Sequence, residues 1–224
     1  GRNRRSAPSS SVTPVILEAV ANDEIPDGIC LCSVAPGRNT AWARLVKKTF
    51  PKVPALWVNH KLDFGLGVDL KRPEQTGHDR FADAVAGAEL CGVPCIVCDF
   101  GTATTFNLVL PRRGFCGGVI VPGYGMWFDA LGRAAQLPRL KPGGIRLTTG
   151  RNTEEALRLG ARWGYRGMVT EILWQLSKAC GRKNPNVCAT GGFAGQVLVD
   201  AGLKIPVLPD LTLHGIARIY ERNA

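Results

Sequence analysis

Apolar positions along the chain alternate between short β-branched runs and stripes at helical spacing. Residues 93–98 are a short apolar run bounded by turn residues, which predicts a buried strand. Residues 29–34 and 55–58 predict two more. Between these, Trp42, Leu45, Val46 and Phe50 share one face while Arg44, Lys47 and Lys48 take the other. That spacing predicts an amphipathic helix over residues 40–50, after a turn at Pro36-Gly37. Residues 12–21 and 81–90 predict helices as well, the second stopped by Gly92. Residues 106–110 and 115–121 predict a hairpin around Pro111-Arg112-Arg113-Gly114. A glycine-rich turn over residues 122–125 leads to a helix over residues 127–135. A long helix follows, with Asn152 or Thr153 as N-cap, running to about Cys180. A short strand over residues 187–189, an edge strand over 206–208 and a closing helix over 212–221 complete the chain. Residues 61–77 and 137–149 lack periodicity and read as loops. Alternating strands and helices predict an α/β fold.

Three glycines, Gly160, Gly164 and Gly167, recur within the long helix. On an exposed helix they cost stability, so they predict close packing by another backbone, such as a second helix.

The totals narrow the function classes. The chain has 224 residues and a net charge of +10, with 28 Lys and Arg against 18 Asp and Glu. A basic surface attracts anions such as nucleotides and acidic metabolites. The basic residues are scattered, and the one dense cluster, Arg2, Arg4 and Arg5, has no interleaved aromatics. That weighs against nucleic acid as a partner. No apolar run approaches the roughly 20 residues that span a bilayer, which points away from the membrane and to the cytoplasm. Residues 1–11 are Arg- and Ser-rich with no apolar core behind them, so they read as a chain end or connector rather than a signal peptide. Strand alternation aims Cys95 and Cys98 at opposite faces, which favours buried thiols over a metal or disulfide pair.

The candidate chemistry gathers at two places. After the 93–98 run come Asp99, Gly101, Thr102, Thr104 and Thr105. Glycine lets backbone N–H groups approach a ligand, and threonines add hydroxyl donors. Asp99 suits a phosphate only with a cation between them. Asp79 sits at the start of the 81–90 helix, either as a helix cap or as a carboxylate that accepts a proton. A second glycine-rich strand end, Thr190-Gly191-Gly192, follows residues 187–189.

Six motifs in order then resemble the type III pantothenate kinases. They are Gly77-His78-Asp79-Arg80, residues 99–105, residues 117–123, Gly150-Arg151-Asn152-Thr153, Ala189-Thr190-Gly191-Gly192 and Pro209-Asp210-Leu211-Thr212-Leu213. The resemblance runs from about Ile29 to Asn223. It implies an actin-like (acetate/sugar kinase–Hsp70–actin) α/β fold of two related halves. Residues 1–91 would form a partial N-terminal half lacking its first strands, and 92–224 the C-terminal half. It implies a homodimer that transfers the γ-phosphoryl group of ATP to pantothenate in coenzyme A synthesis. By matching motif, Asp79 is the catalytic base. Gly77, His78, Asp79 and Arg80 bind pantothenate, with Thr153 reaching in across the dimer interface. Gly101, Thr102, Gly191 and Gly192 bind ATP with its magnesium. Asp99 holds a monovalent cation, potassium or ammonium.

Four departures accompany the resemblance. The family opens with a strand and an Asp-x-Gly-Asn-Thr phosphate loop, which would come before Gly1. Without that loop, or a partner chain to supply it, the 224 residues alone are expected to turn over little. Leu70 stands where the family has a tyrosine, His78 where it has an alanine, and Asn107 where it has an aspartate. His78 is either a tolerated polar substitution or a group that tunes Asp79. These departures carry the alternative, a catalytically impaired kinase homologue acting as a regulatory or partner subunit.

Overall fold

The computed structural model describes residues 25–133, 137–181 and 185–224. The helix expected over residues 12–21, the polar stretch 1–11 and the last two residues of the 127–135 helix lie outside the described residues.

A small parallel pair, β1 (Ile29–Leu31) and β2 (Ala55–Trp57), sets Ile29 opposite Ala55. The connection between them is α1 (Pro36–Thr49), so this is a β-α-β unit. Pro36 lies in the first turn of α1 and not in a turn before it. Proline in general suits such a position, because its φ is preset near the helical value and a first turn leaves that N–H unpaired anyway.

The main sheet has the order β5-β4-β3-β6. β3 (Cys95–Phe100), β4 (Ala103–Leu110) and β5 (Gly114–Pro122) run antiparallel in sequence, and β6 (Asn186–Thr190) lies parallel to β3. On one face, Ile96, Cys98, Phe100, Phe106 and Leu108 pack with α3 (Tyr124–Arg133), α4 (Thr153–Ala179) and α5 (Ala194–Ala201). On the other, Cys95, Val97, Val109 and Cys188 pack with α2 (His78–Cys91) and α6 (Leu211–Asn223). Helices on both faces explain why β3 is apolar throughout its first four residues instead of alternating. Cys95 and Cys98 therefore belong to opposite clusters, and all eight cysteines are free thiols. Burial pushes the Cys95 thiol up to about 12.

The helix that carries Asp79 is pinned from three sides. Phe81 stacks on Phe64 at 4.7 Å and meets Phe115 edge-on at 5.6 Å. On the third side α6 comes close enough that a Cβ at Gly215 would run into the Ala82 carbonyl oxygen.

Other expectations are corrected by the structure, among them the strand expected over residues 93–98, which runs Cys95–Phe100. α3 begins at Tyr124, so the second half of the predicted 122–125 turn is helix, and Trp127 N–H donates to the Gly123 carbonyl. Residues 206–208 form a single bridge, Val207 to Ala189, and not a strand. Among the described residues no second backbone packs on the α4 glycines: Gly160 and Gly167 face open space, and Gly164 meets the Trp127 side chain.

Candidate active site

The end of β3 sets a polar row across three strands. Asp99 pairs in register with Thr105 on β4 and Thr190 on β6. Strand alternation puts Asp99 on the face of Cys95 and Val97, the one that α2 covers. Two turns close over it. Gly101 and Thr102 form the bend from β3 to β4, and Gly191 follows β6 with φ +94°. That φ favours glycine, and a side chain there would also collide with the Asp99 carboxylate and the Phe100 backbone. The Phe193 N–H donates to the Phe100 carbonyl at 3.0 Å and locks the two turns together. Thr102 is exposed and Gly192 faces open space, so both look outward from this roof. Burial, and then the charge of Asp79, pushes the Asp99 carboxyl up to about 6.

The second group sits at the N-terminus of α2. Gly77 is the N-cap residue, His78 opens the helix and Asp79 is the acid of its first turn. Asp79 is therefore not the cap. Its Oδ1 accepts the Arg80 backbone N–H at 2.9 Å, and the helix terminus favours its negative charge. No hydrogen bond links the His78 ring to Asp79 among the described residues. The end of β1 reaches the same place: the Cys32 thiol is pushed up to about 12, by burial first and then by Asp79, Cys30 and Asp83.

Two residues outside the set predicted from motifs complete the site. Asp83 is fully buried one turn after Asp79. It accepts from Thr212 Oγ1 at 2.7 Å and from Asn107 Nδ2 at 3.2 Å. Asn107, one of the departures from the family pattern, accepts from Arg80 Nε at 2.7 Å through Oδ1. The Arg80 guanidinium also lies over the Phe115 ring at 5.6 Å, and its Nη2 is buried with no partner. A signal for Asp83 existed: an acid four residues after Asp79 falls on the same helix face, amid Phe81, Ala82, Ala84 and Val85.

Gly77, His78, Asp79, Arg80, Asp99, Gly101 and Gly191 thus come together at one end of the α2 face. Thr153 does not join them within the chain. It is exposed at the start of α4, which covers the opposite face of the sheet. Leu70 packs into the apolar cluster beneath α2 and offers no polar group. A cavity of about 450 Å³ opens elsewhere, between Phe64, Val85, Glu89 and Arg218. Its Arg218 is paired with Glu89 and Glu221, and no acid from the Asp79 and Asp99 group lines it.

The assembled groups can hold an anion, accept a proton and hold a cation. Arg80 has an unmet donor for an anion. Asp79 has Oδ2 free of hydrogen bonds among the described residues. Asp99 is a single carboxylate under a glycine roof. No cluster of three or more His, Cys, Asp or Glu among the described residues could hold a metal ion, so backbone and ligand oxygens would have to complete a cation site at Asp99.

The family match and the similar sequences agree on a family. Residues 2–175 match the family described as type III pantothenate kinase. The type III pantothenate kinase of Gluconobacter oxydans is 42% identical over 181 residues, 80% of this chain and 66% of that protein. That of Streptomyces avermitilis is 38% identical over 200 residues, 88% of this chain and 76% of that protein. The chain therefore spans just under two thirds of the first relative's length and about three quarters of the second's. Among solved structures, a protein described as a Baf family transcriptional activator from Campylobacter jejuni superposes with a TM-score of 0.61 at 17% identity. That match covers 88% of this chain and 83% of the other, and it is a likeness of fold alone. The fold is α/β: a strand, turn and hairpin continued in parallel by β6. On the match of more than half its length and the identity with its relatives, the chain belongs to the type III pantothenate kinase family.

Proposed function

We propose that the protein phosphorylates pantothenate with ATP, forming 4′-phosphopantothenate on the route to coenzyme A. The observation that carries this reading is the meeting of Asp79 and Asp99, from different elements, close enough that the charge of Asp79 helps push the Asp99 carboxyl up, beside an Arg80 with an unmet donor. Phosphoryl transfer needs positioning and charge neutralisation more than covalent help from the protein. Asp79 Oδ1 is taken by the Arg80 backbone N–H, so Oδ2 accepts the proton of the primary alcohol. The alcohol oxygen bonds to the γ-phosphorus as the bond to ADP breaks. Arg80 takes the pantothenate carboxylate, and Gly77 and His78 line that end of the site. Gly101, Thr102, Gly191 and Gly192 offer N–H and hydroxyl donors to ATP. Asp99 would hold a monovalent cation, potassium or ammonium, which with the magnesium of ATP offsets the negative charge of phosphate beside a carboxylate.

The working unit of this reading is a cytoplasmic homodimer. Thr153 stands on the face opposite Asp79, so it reaches pantothenate only in a partner's site. Gly160, Gly167 and the exposed Trp163 leave that side of α4 open to a second copy.

The test is Asp79→Asn in the full-length protein, read as ADP formed on addition of pantothenate. Turnover should fall about 10²–10⁴-fold, the worth of a positioned base, with fold and ATP binding kept. Replacing potassium by sodium should slow the unsubstituted enzyme. Unchanged turnover in Asp79→Asn would remove Asp79 from the mechanism.

A further inference from the structure

We propose that Asp83 is a positioning residue of this active site: it holds the Asn107 amide in the one orientation that fixes the Arg80 guanidinium for the acceptor's carboxylate. The inference rests on Arg80 being the carboxylate-binding group of the proposed kinase. It follows from the pattern of donors and acceptors. An Asn amide can face either way, and its neighbours decide which. Asn107 Nδ2 donates to Asp83 Oδ2 at 3.2 Å and to Thr105 Oγ1 at 3.3 Å, which leaves Oδ1 to accept from Arg80 Nε at 2.7 Å. Turned over, the amide would set NH₂ against the Arg80 N–H and oxygen against the Asp83 carboxyl.

Asp83 has little room to turn away. Thr212 Oγ1 donates to its Oδ1 at 2.7 Å from α6, and α6 is packed hard against α2 at Gly215. With a proton held on the Thr212 side, the Thr212 hydroxyl rotates to accept it and Oδ2 remains an acceptor for Asn107, so the arrangement does not depend on Asp83 carrying charge. Arg80 is then fixed at Nε by Asn107 and on its face by Phe115. Nη2 is left buried and unpartnered, a costly state for a guanidinium until an anion arrives. The resemblance places an aspartate at position 107, and a carboxylate there would accept from Arg80 in either orientation. Asn107 has one acceptor only, so this chain needs a second residue to aim it.

The test measures kcat and the two KM values in the full-length protein for Asp83→Ala, Asn107→Leu, the two combined, Asp83→Asn, and the exchange of Asp83→Asn with Asn107→Asp. Asp83→Ala and Asn107→Leu should each raise KM for pantothenate about tenfold or more while KM for ATP stays within about twofold. The combined variant should be no worse than Asn107→Leu, because one residue acts through the other. Asp83→Asn keeps an acceptor facing Asn107 and should recover to within about threefold of the unsubstituted protein. If either truncation fails to fold, Asp83→Leu carries the test: it keeps roughly the size of Asp83 but offers Asn107 no acceptor, and should raise KM for pantothenate about tenfold or more. The exchange reverses donor and acceptor between positions 83 and 107 and gives Arg80 a carboxylate that needs no aiming, so it should stay within about threefold. Unchanged pantothenate KM in folded Asp83→Ala or Asp83→Leu, equal rises for both substrates, additive losses in the combination, or a tenfold loss in the exchange would each overturn the proposal. Unsubstituted protein that leaves pantothenate unphosphorylated overturns the proposed function and this role together. Normal turnover with indifferent variants overturns the role of Asp83 alone.

Discussion

Asp83 has no water to share its charge, and burial pushes its carboxyl from an ordinary value near 3.8 up to about 8. The charges of Asp99 and Asp79 push the same way, while the Thr212 hydroxyl and Arg80 pull back. The folded chain therefore keeps a proton that the unfolded chain releases at acid pH. The stability linked to this group is fully present below about pH 4 and is lost as pH rises to about 8. The total is on the order of a few kcal/mol. Asp83→Asn copies the protonated form and cannot titrate. Its melting temperature should match that of the unsubstituted protein below about pH 4 and exceed it by several degrees near pH 9. Circular dichroism melts across that range decide the matter, and parallel pH slopes for the two proteins would contradict it. The same side chain serves the site in another way, since its acceptor oxygen aims Asn107.

At the scale of elements, α4 owes its start to local chemistry. Asn152 Oδ1 accepts the Glu155 N–H at 2.9 Å, and Glu155 Oε2 accepts the Arg151 N–H at 2.7 Å, so one donor of the first turn and one just before the cap are met by side chains. Asn152 is exposed, so Asn152→Ala opens no cavity. It should cost about 1 kcal/mol, seen as a drop of roughly 2–4 °C in the melting temperature. A variant as stable as its parent would show that the cap adds nothing here. This start was legible in the sequence because it is local, as was a buried strand in the apolar run 93–98, which the structure places two residues later at Cys95–Phe100. Gly92 likewise marked the end of α2. The misreadings came where the sequence allows two local readings. Pro36 suits a turn or a first helical turn equally, and Gly123 and Gly125 looked like a turn although Gly125 lies within α3. Asp79, Arg80 and Asp99 could be named from motifs. Asp83 and the orientation of Asn107 could not, because their roles depend on contacts between α2, β4 and α6 that are distant in sequence. The α4 glycines misled for a different reason: nothing within the described chain fills the space beside Gly160 and Gly167.

For the whole molecule, the sheet decides what one chain can do alone. It lies between Asp79 on the α2 side and Thr153 at the head of α4 on the other. If both touch the same pantothenate, they come from different copies, and each site of a twofold dimer is built from two chains. This makes a complementation test possible. Asp79→Asn homodimers lack the base in both sites, and Thr153→Val homodimers lack the partner's hydroxyl in both. When the two variants are unfolded together and refolded as a mixture, about half of the dimers should contain one chain of each kind, and each of those has one fully intact site. The mixture should therefore regain about a quarter of the unsubstituted turnover, well above either parent. Separately refolded variants combined afterwards should stay inactive if subunits do not exchange, which controls for simple addition. If Thr153 instead acted in its own chain's site, every mixed dimer would carry one defect in each site. The mixture would then show only the average of its parents, and that result would end the assignment of Thr153 to the partner's pantothenate.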